Sequence, residues 1–222
     1  ASDKAMDYFG YRTIVRDTNV KVRELFVEDV AISELAEKYD TPCYIYSYNS
    51  LIKRYQSFTK AVGDALVCYS VKANDNLAII RCLGLQGAGA DIVSGGELKR
   101  VIAAGVTPSK IVFSGVGKTA SEISDALDAH IGQFNVESES ELALLAEIAV
   151  QKGVVAPVSL RVNPDVDAKT HEKISTGRAQ DKFGINLDEA AELFVRGSEM
   201  NGITMQGLAI HIGSQLREIT PF

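Results

Sequence analysis

The stretch "ADIVSGGELKRVIAAGVTPSKIVF", residues 90–113, contains one complete unit of the fold. Its parts are, in chain order, the apolar run Ala90–Val93, the pair Ser94 and Glu97, the amphipathic stretch Leu98–Ala104, the glycine Gly105 and a second apolar run, Ile111–Phe113. A serine followed three residues later by glutamate is typical of a helix start, and glycine is typical of a helix end. A strand, a capped helix and another strand in series predict two parallel strands joined by a helix.

The same unit recurs from residue 65 onward. The apolar runs are Leu66–Val71, Ala90–Val93, Ile111–Phe113, Gln133–Val136, Val158–Val162 and Gly207–Ile212. The amphipathic stretches between them include Leu77–Leu83, Leu98–Ala104, Ile123–Leu127, Leu142–Val150 and Glu189–Val195. Further helix starts are predicted by the pairs Thr119 with Glu122 and Ser138 with Glu141, and further helix ends by Gly153 and Gly197.

The spacing of these units favours one α/β architecture over another. The first four runs begin a little over twenty residues apart, a tight repeat that suits a (β/α)8 TIM barrel. A doubly wound sheet is the alternative, but its GxGxxG phosphate fingerprint is absent. Six runs are present where a barrel needs eight, and a barrel lacking two strands would leave open edges. We therefore predict a barrel of about six βα units, in a chain that is a piece of a longer protein.

The first 48 residues do not follow the repeat. We predict a strand at Glu24–Val27, a helix at Ile32–Tyr39 and another strand at Cys43–Tyr46. The predicted domains are therefore an N-terminal segment, residues 1–48, and a partial barrel, residues 49–222.

Composition narrows the range of functions. The chain has 222 residues and a net charge of -6, which argues against the basic face of a nucleic-acid-binding protein. No apolar run approaches the roughly 18 residues of a membrane span. Cys43, Cys68 and Cys82 show neither metal nor disulfide spacing, so we predict no metal site, reduced core cysteines and a cytoplasmic location.

Polar residues cluster where the predicted strands end, which is the rim that forms the active site of a barrel. They are Lys72, Asn74, Asp91, Ser94, Ser114, Glu137, Ser138, Arg161, Asn163, His211 and Ser214. Ser94 and Ser138 could equally be helix caps only, and Arg161 could equally be a salt-bridged structural residue.

Lys72 has two possible roles on this pattern. Burial favours the neutral form of an amine, and a neutral amine can form a covalent bond to an aldehyde. The alternative is a structural bridge to Asp91. The residues alone leave both readings open.

Several motifs, in order, resemble one enzyme family. "YSVKAN" at 69–74 resembles the lysine motif of the alanine-racemase-like, fold-type III pyridoxal-phosphate enzymes. The other motifs are "GADIVSGGEL" at 89–98, "VFSGVGKT" at 112–119, "FNVESESEL" at 134–142, "RVNPDVDAKTHEKISTGRAQDKFGI" at 161–185 and "HIGSQL" at 211–216. Together they resemble the diaminopimelate decarboxylases, from about residue 7 to the end, and "THEKISTG" is the most specific block.

The resemblance implies a cofactor and a set of roles. Lys72 would hold pyridoxal 5'-phosphate covalently, His211 would stack on its ring, and Ser214 would reach its phosphate. Asp91 would orient or charge-pair Lys72, and Arg161 would lie near the ring oxygen.

The resemblance also implies an activity, the decarboxylation of meso-2,6-diaminopimelate to L-lysine and carbon dioxide by a homodimer acting on a small amino acid. The family's phosphate loop, ring-nitrogen acid and partner-subunit cysteine motifs do not occur in this sequence. This chain alone is therefore expected to be inactive and to bind the cofactor weakly or not at all. In the family, a leading strand pairs with a C-terminal β domain. Residues 1–27 are therefore expected to pack poorly or to borrow contacts from a neighbouring chain.

Other functions remain open. Sister decarboxylases act on ornithine, arginine or carboxynorspermidine, and non-catalytic barrels bind pyridoxal phosphate through a comparable lysine. A structural barrel without a cofactor is the third alternative. Alanine racemase is disfavoured, because "THEKISTG" is foreign to it.

Overall fold

The structure is a computed structural model that describes residues 8–15, 20–166, 183–214, 216 and 220. The chain divides into two compact units, residues 1–65 and residues 66–222, and each is described by itself. The domain boundary predicted between residues 48 and 49 stays a prediction.

The first unit contains a small antiparallel sheet and two helices. The sheet has the order β1-β2-β3, with β1 at Phe9–Val15, β2 at Lys21–Val27 and β3 at Val30–Ala31. Helix α1 spans Ile32–Tyr39 and α2 spans Tyr48–Val62. The predicted strand at Glu24–Val27 and the predicted helix at 32–39 are confirmed, whereas β1 and α2 were not predicted. β1 is exposed at six of its seven residues, whereas most of β2 is half-buried and Val27 is buried. The poor packing expected for residues 1–27 therefore holds for β1 but not for the end of β2.

The strand predicted at Cys43–Tyr46 is wrong. These residues form an irregular segment without a strand partner among the described residues, and Tyr44 is 91% exposed. Tyrosine and isoleucine favour strands, but the ladder of hydrogen bonds that defines a strand is missing among the described residues. Ser47 then begins α2, because its hydroxyl accepts a hydrogen bond from the Ser50 backbone N–H at 3.0 Å.

The second unit is built on a parallel sheet. Its strands are β4 at Cys68–Ser70, β5 at Gly89–Ile92, β6 at Ile111–Phe113, β7 at Gln133–Val136, β8 at Ala156–Asn163, β9 at Ile185–Asn186 and β10 at Ile203–Ile210. Its helices are α3 at Leu77–Leu85, α4 at Gly95–Ala103, α5 at Ala120–Asp128, α6 at Glu139–Lys152 and α7 at Leu187–Glu199. All six predicted strands and all five predicted helices are present.

The strand order identifies the architecture. It is β10-β8-β7-β6-β5-β4, with β9 paired to the end of β8, and every pair is parallel. The order follows the chain without reversal, whereas a doubly wound sheet reverses at a switch point. Consecutive helices from α3 to α6 contact one another and so form one layer. The described part of the unit is thus an arc of a (β/α) barrel with six main strands, as predicted.

The core lies between this sheet and the helix layer. Phe113, Phe134 and Leu160 on the strands are at most 1% exposed, as are Ile123 and Leu142 on the helices. The strand residues that alternate with them are more polar, for example on β7, where Gln133 and Asn135 are half-buried between buried neighbours. The sheet therefore offers one apolar face to the helices and one polar face away from them.

The helix starts are confirmed. Thr119 and Glu122 form a complete capping box at the start of α5. The hydroxyls of Ser94 and Ser138 each accept the backbone N–H three residues on. The carboxylates of Glu97 and Glu141, however, accept from the residue before each serine, so these two helices begin with a wider version of the box.

Two of the three predicted helix ends are confirmed. Gly105 follows the end of α4 with φ +85°, and Gly153 ends α6 in the left-handed region. Gly197 lies inside α7, so the predicted helix end there is wrong. A Cβ at Gly197 would be 2.9 Å from the Met205 sulfur, and the glycine therefore allows α7 to approach β10 closely.

The cysteines differ in their surroundings. Cys82 is buried in α3, and burial together with the nearby Asp91 raises the pKa of the half-buried Cys68 thiol to about 11. Cys43 is exposed, so its predicted place in the core is wrong; it belongs to the irregular segment after α1. Among the described residues, no helix combines the length and apolar character needed to span a bilayer.

Candidate active site

A cavity of about 690 Å³ opens at the carboxyl ends of the parallel strands. Its lining includes all five residues predicted to form the site: Lys72, Asp91, Arg161, His211 and Ser214. They come from β4, β5, β8 and β10 or from the turns directly after them. The fold therefore brings together residues that lie up to 142 positions apart in the chain.

Lys72 lies in a one-turn 3₁₀ helix, Val71–Ala73, directly after β4. Val71 is fully buried and anchors this turn, while Lys72 itself is exposed on the cavity. No hydrogen bond or ion pair joins its amine to another described residue. The strand before it was predicted to be buried, but β4 is only half-buried, because it is the edge strand of the described sheet.

Asp91 is held by hydroxyl groups. Its Oδ1 accepts a hydrogen bond from Ser114 Oγ at 2.6 Å, and its Oδ2 accepts one from Ser70 Oγ at 3.3 Å. A salt bridge between Lys72 and Asp91 is not formed, so the structural-bridge reading of Lys72 is wrong. The charge-pairing role given to Asp91 is likewise not seen here, although both residues line the cavity.

The hydroxyl contacts of Asp91 extend along the sheet. Asn135 donates from Nδ2 to Ser114 Oγ at 3.0 Å, and Gln133 donates from Nε2 to Asn135 Oδ1 at 2.7 Å. Our sequence reasoning did not single out Ser70 or Asn135. The available signal was a polar residue alternating with apolar ones in "QFNV", which places Asn135 on the face away from the helices.

Arg161 has both of the roles that the sequence left open, that of a site residue and that of a salt-bridged structural residue. Its Nη1 donates to Glu137 Oε1 at 2.8 Å, and the two side chains are 12% and 3% exposed. Its guanidinium also lies 5.1 Å from the ring centroid of Phe183, within the range of a cation–π contact. Arg161 is therefore a salt-bridged residue and a cavity-lining cation.

Asn163 fixes the position of Phe183. It is buried, donates from Nδ2 to the Phe183 carbonyl at 3.3 Å, and accepts from the Asp165 backbone N–H at 3.0 Å. The "THEKISTG" block, with His171 and Lys173, lies outside the described residues.

His211 follows β10 and is half-buried. Burial lowers the pKa of its imidazole, and the neighbouring cations Arg161 and Lys72 lower it further, against an opposing effect of Asp91. The neutral imidazole is thus favoured on the cavity wall. Ser214 lies at the exposed mouth, after Gly213, whose φ of +145° is a conformation that glycine adopts readily.

The loop between β6 and α5 forms a further part of the wall. Ser114, Gly115, Val116 and Gly117 all line the cavity. Gly115 has a φ of +104°, and its N–H donates to Glu137 Oε1 at 3.0 Å. Glu137 therefore holds both this loop and Arg161.

Comparison with known proteins places this geometry in a family. The profile described as "Pyridoxal-dependent decarboxylase, pyridoxal binding domain" matches residues 48–222. The chain belongs to this family. The pyridoxal-dependent decarboxylase domain thus includes the whole cavity.

Individual relatives give a consistent picture. The diaminopimelate decarboxylase of Vibrio cholerae is 49% identical over 219 residues, which cover 98% of this chain and 51% of the relative. A Helicobacter pylori diaminopimelate decarboxylase, solved in complex with L-lysine, superposes with a TM-score of 0.82 at 42% identity, over 86% of this chain and 49% of that one. The diaminopimelate decarboxylase of M. jannaschii in co-complex with L-lysine gives 0.81 at 40%, over 95% and 50%. The chain spans about half the length of the curated relatives it matches.

The residues present fit pyridoxal phosphate. An amine without a described partner can bond its aldehyde, and a neutral imidazole offers a flat face to an aromatic ring. The Arg161 guanidinium supplies positive charge beside an anionic ligand. The volume is within the roughly 300–1,000 Å³ of small-ligand pockets.

Proposed function

We propose that the polypeptide containing this chain decarboxylates meso-2,6-diaminopimelate, with L-lysine and carbon dioxide as products. One observation carries the proposal: the amine of Lys72, which pairs with no described residue, lies on a cavity shared with Asp91, Arg161, His211 and Ser214. The identity of 49% to a diaminopimelate decarboxylase supports the choice of reaction.

Lys72 would hold pyridoxal phosphate through its side-chain amine. Its position after β4 suits this role, because Val71 fixes the turn while the lysine side chain keeps the freedom to move. When bound, the cofactor supplies an electron sink for the pair of electrons left by departing carbon dioxide. When not bonded to the cofactor, the Lys72 amine would hold a proton in the cavity or pass it on.

The other residues would orient the cofactor and set the charge around it. The neutral imidazole of His211 would pack against its ring, and Ser214 would donate to its phosphate. Arg161 is fixed by Glu137 at 2.8 Å, so it would present its charge at a constant place. Asp91, held by two serine hydroxyls, would keep a carboxylate at a fixed position on the cavity wall.

Diaminopimelate is favoured over other amino acids by the relatives. Two solved relatives at 40% and 42% identity are diaminopimelate decarboxylases in complex with L-lysine, the product of the proposed reaction. We further propose a homodimer and a cytoplasmic location. The free cysteines, with the raised thiol pKa of Cys68 and Cys82, suit a reducing compartment.

The test is a substrate panel on the full-length polypeptide. Carbon dioxide release is measured with meso-diaminopimelate, L-ornithine, L-arginine and carboxynorspermidine, and the product is identified by mass spectrometry. We expect a value of kcat/KM for meso-diaminopimelate far above the others, with L-lysine as the product. Preference for another amine, or no release from any, would overturn the proposal. The 222-residue chain alone, expected to be inactive, is the matched control.

A further inference from the structure

Lys118 is a second lysine at the carboxyl end of the sheet, and neither the family resemblance nor the cavity explains it. Its side chain is only 1% exposed, and it does not line the cavity. A buried ammonium is costly unless it is paired and hydrogen-bonded. Its partners therefore indicate its purpose.

Lys118 Nζ has three partners, which matches its three protons. It donates to the Gly115 carbonyl at 2.7 Å, the Asn135 carbonyl at 2.8 Å and Glu141 Oε1 at 2.6 Å. Gly115 and Asn135 both line the cavity. The ammonium thus fastens the β6–α5 loop to β7 from behind the cavity wall.

Two glutamates extend this contact to the other side of the loop. Glu141 Oε2 accepts from the Glu137 backbone N–H at 3.1 Å, and Glu137 Oε1 accepts from the Gly115 N–H and from Arg161. Gly115 is consequently held at its carbonyl by Lys118 and at its N–H by Glu137. The preceding residue, Ser114, donates to Asp91.

Stability is a poor explanation for such a network. Burial raises the pKa of Glu141 although Lys118 acts to lower it, so the charged form of this carboxylate is less favourable in the folded chain than in water. Replacing a buried ion pair by uncharged groups is often neutral or stabilising. Glu137 Oε2 is buried and has no hydrogen-bond partner among the described residues, which is a further cost. What the network does provide is one fixed position for each of several cavity residues.

We propose that Lys118 is a positioning residue for the cofactor site: through Glu141 and Glu137 it holds the Ser114–Gly117 loop, and with it the contacts of Asp91 and Arg161, in one arrangement. This inference rests on the proposed function. Lys118 touches neither cofactor nor substrate, and it acts through the loop.

The test uses the full-length polypeptide with Lys118→Met and with the double variant Lys118→Met/Glu141→Gln. The single variant leaves a buried carboxylate unpaired and is expected to lower the melting temperature. The double variant removes both charges and keeps an acceptor for the Glu137 N–H, so its melting temperature is expected to return near wild type. Lys152→Met, at the other end of α6 and paired with Asp128 at 2.7 Å, is the control.

The readouts separate positioning from stability. In the double variant we expect about 10²-fold lower kcat/KM, weaker pyridoxal phosphate binding in equilibrium dialysis, and altered visible circular dichroism of the bound cofactor, with attachment at Lys72 retained after borohydride reduction. Wild-type values for all three in the folded double variant would overturn the inference and leave the proposed function standing. A wild-type protein that binds no pyridoxal phosphate would overturn both.

Discussion

Two lysines stand at the carboxyl ends of strands in the same sheet, and their surroundings are opposite. Lys72, after β4, is exposed and pairs with no described residue, whereas Lys118, after β6, is 1% exposed and donates to three acceptors. An amine that must form and break a covalent bond has to be free, and an amine that fixes a loop has to be fully engaged. The same residue type thus takes part in chemistry or architecture according to its partners.

The largest effect is expected from Lys72→Ala in the full-length polypeptide. Activity should fall by at least about 10³-fold, since the bond to the cofactor cannot form. The free energy of unfolding should stay within about 0.5 kcal/mol of wild type, because Lys72 has no described partner to lose. Borohydride reduction followed by mass spectrometry of residues 68–76 measures attachment. Detection of the cofactor's mass on another residue would contradict the assignment of the covalent bond to Lys72.

The second prediction concerns the buried ion pair between Glu137 and Arg161. Glu137→Gln should lower the free energy of unfolding by about 3 kcal/mol, because it leaves Arg161 buried without a counter-charge. The comparable change at the surface, Asp128→Asn, removes an exposed partner of Lys152 and should cost less than about 1 kcal/mol. Urea denaturation followed by circular dichroism gives both values. Equal losses would mean that burial does not set the strength of these pairs.

A smaller effect is expected at Ser114, which lies in the loop held by Lys118 and donates to Asp91 on the cavity wall. Ser114→Ala removes the 2.6 Å hydrogen bond to Asp91 and should reduce kcat/KM about tenfold, as expected for a net loss of 1.4 kcal/mol. Ser121→Ala, on the exposed first turn of α5, is the control and should leave kcat/KM unchanged. An unchanged kcat/KM in Ser114→Ala would show that the hydrogen bond between Ser114 and Asp91 does not contribute to catalysis.

The smallest expected effect is a pH dependence of stability through His211. Its pKa is lower in the folded protein than its ordinary value, chiefly because of burial. As pH falls below about 6.5, the unfolded chain takes up a proton on this histidine before the folded chain does, and proton uptake favours the unfolded state. The contribution of His211 to the free energy of unfolding is therefore present at higher pH and is lost on acidification. The free energies of unfolding of wild type and His211→Gln are measured at pH 7.5 and 5.5. The difference between the two proteins should be smaller at pH 5.5. His130→Asn, at an exposed site, should keep the wild-type dependence.

Most of the second unit could be predicted from the sequence, because its signals are local. Residues close in the sequence determine the helix start at Thr119 and Glu122 and the strand at Ile111–Phe113. The predictions at Cys43–Tyr46 and Gly197 were wrong, because strand pairing and helix packing depend on residues that are distant in the sequence. Gly197 has helix-breaking propensity, but α7 continues through it, and the missing Cβ leaves room for Met205 on β10.

The candidate site was predictable as a set of residues but not as a network. Strand ends converge in a barrel, so Lys72 and His211 were expected on one rim. Which groups bond was not predictable, since a hydrogen bond depends on distances of a few tenths of an ångström. Asp91 therefore proved to contact two serines rather than the lysine.

The uninterrupted strand order has a consequence for how the protein is made. Each strand from β5 onward docks beside a strand that left the ribosome earlier. The nascent chain can therefore assemble progressively from β4, with the loop entropy of only one βα unit to overcome at each step. We expect force-sensitive arrest peptides, inserted after successive strands, to report several separate folding events; a single event at the last strand would show that synthesis and assembly are uncoupled.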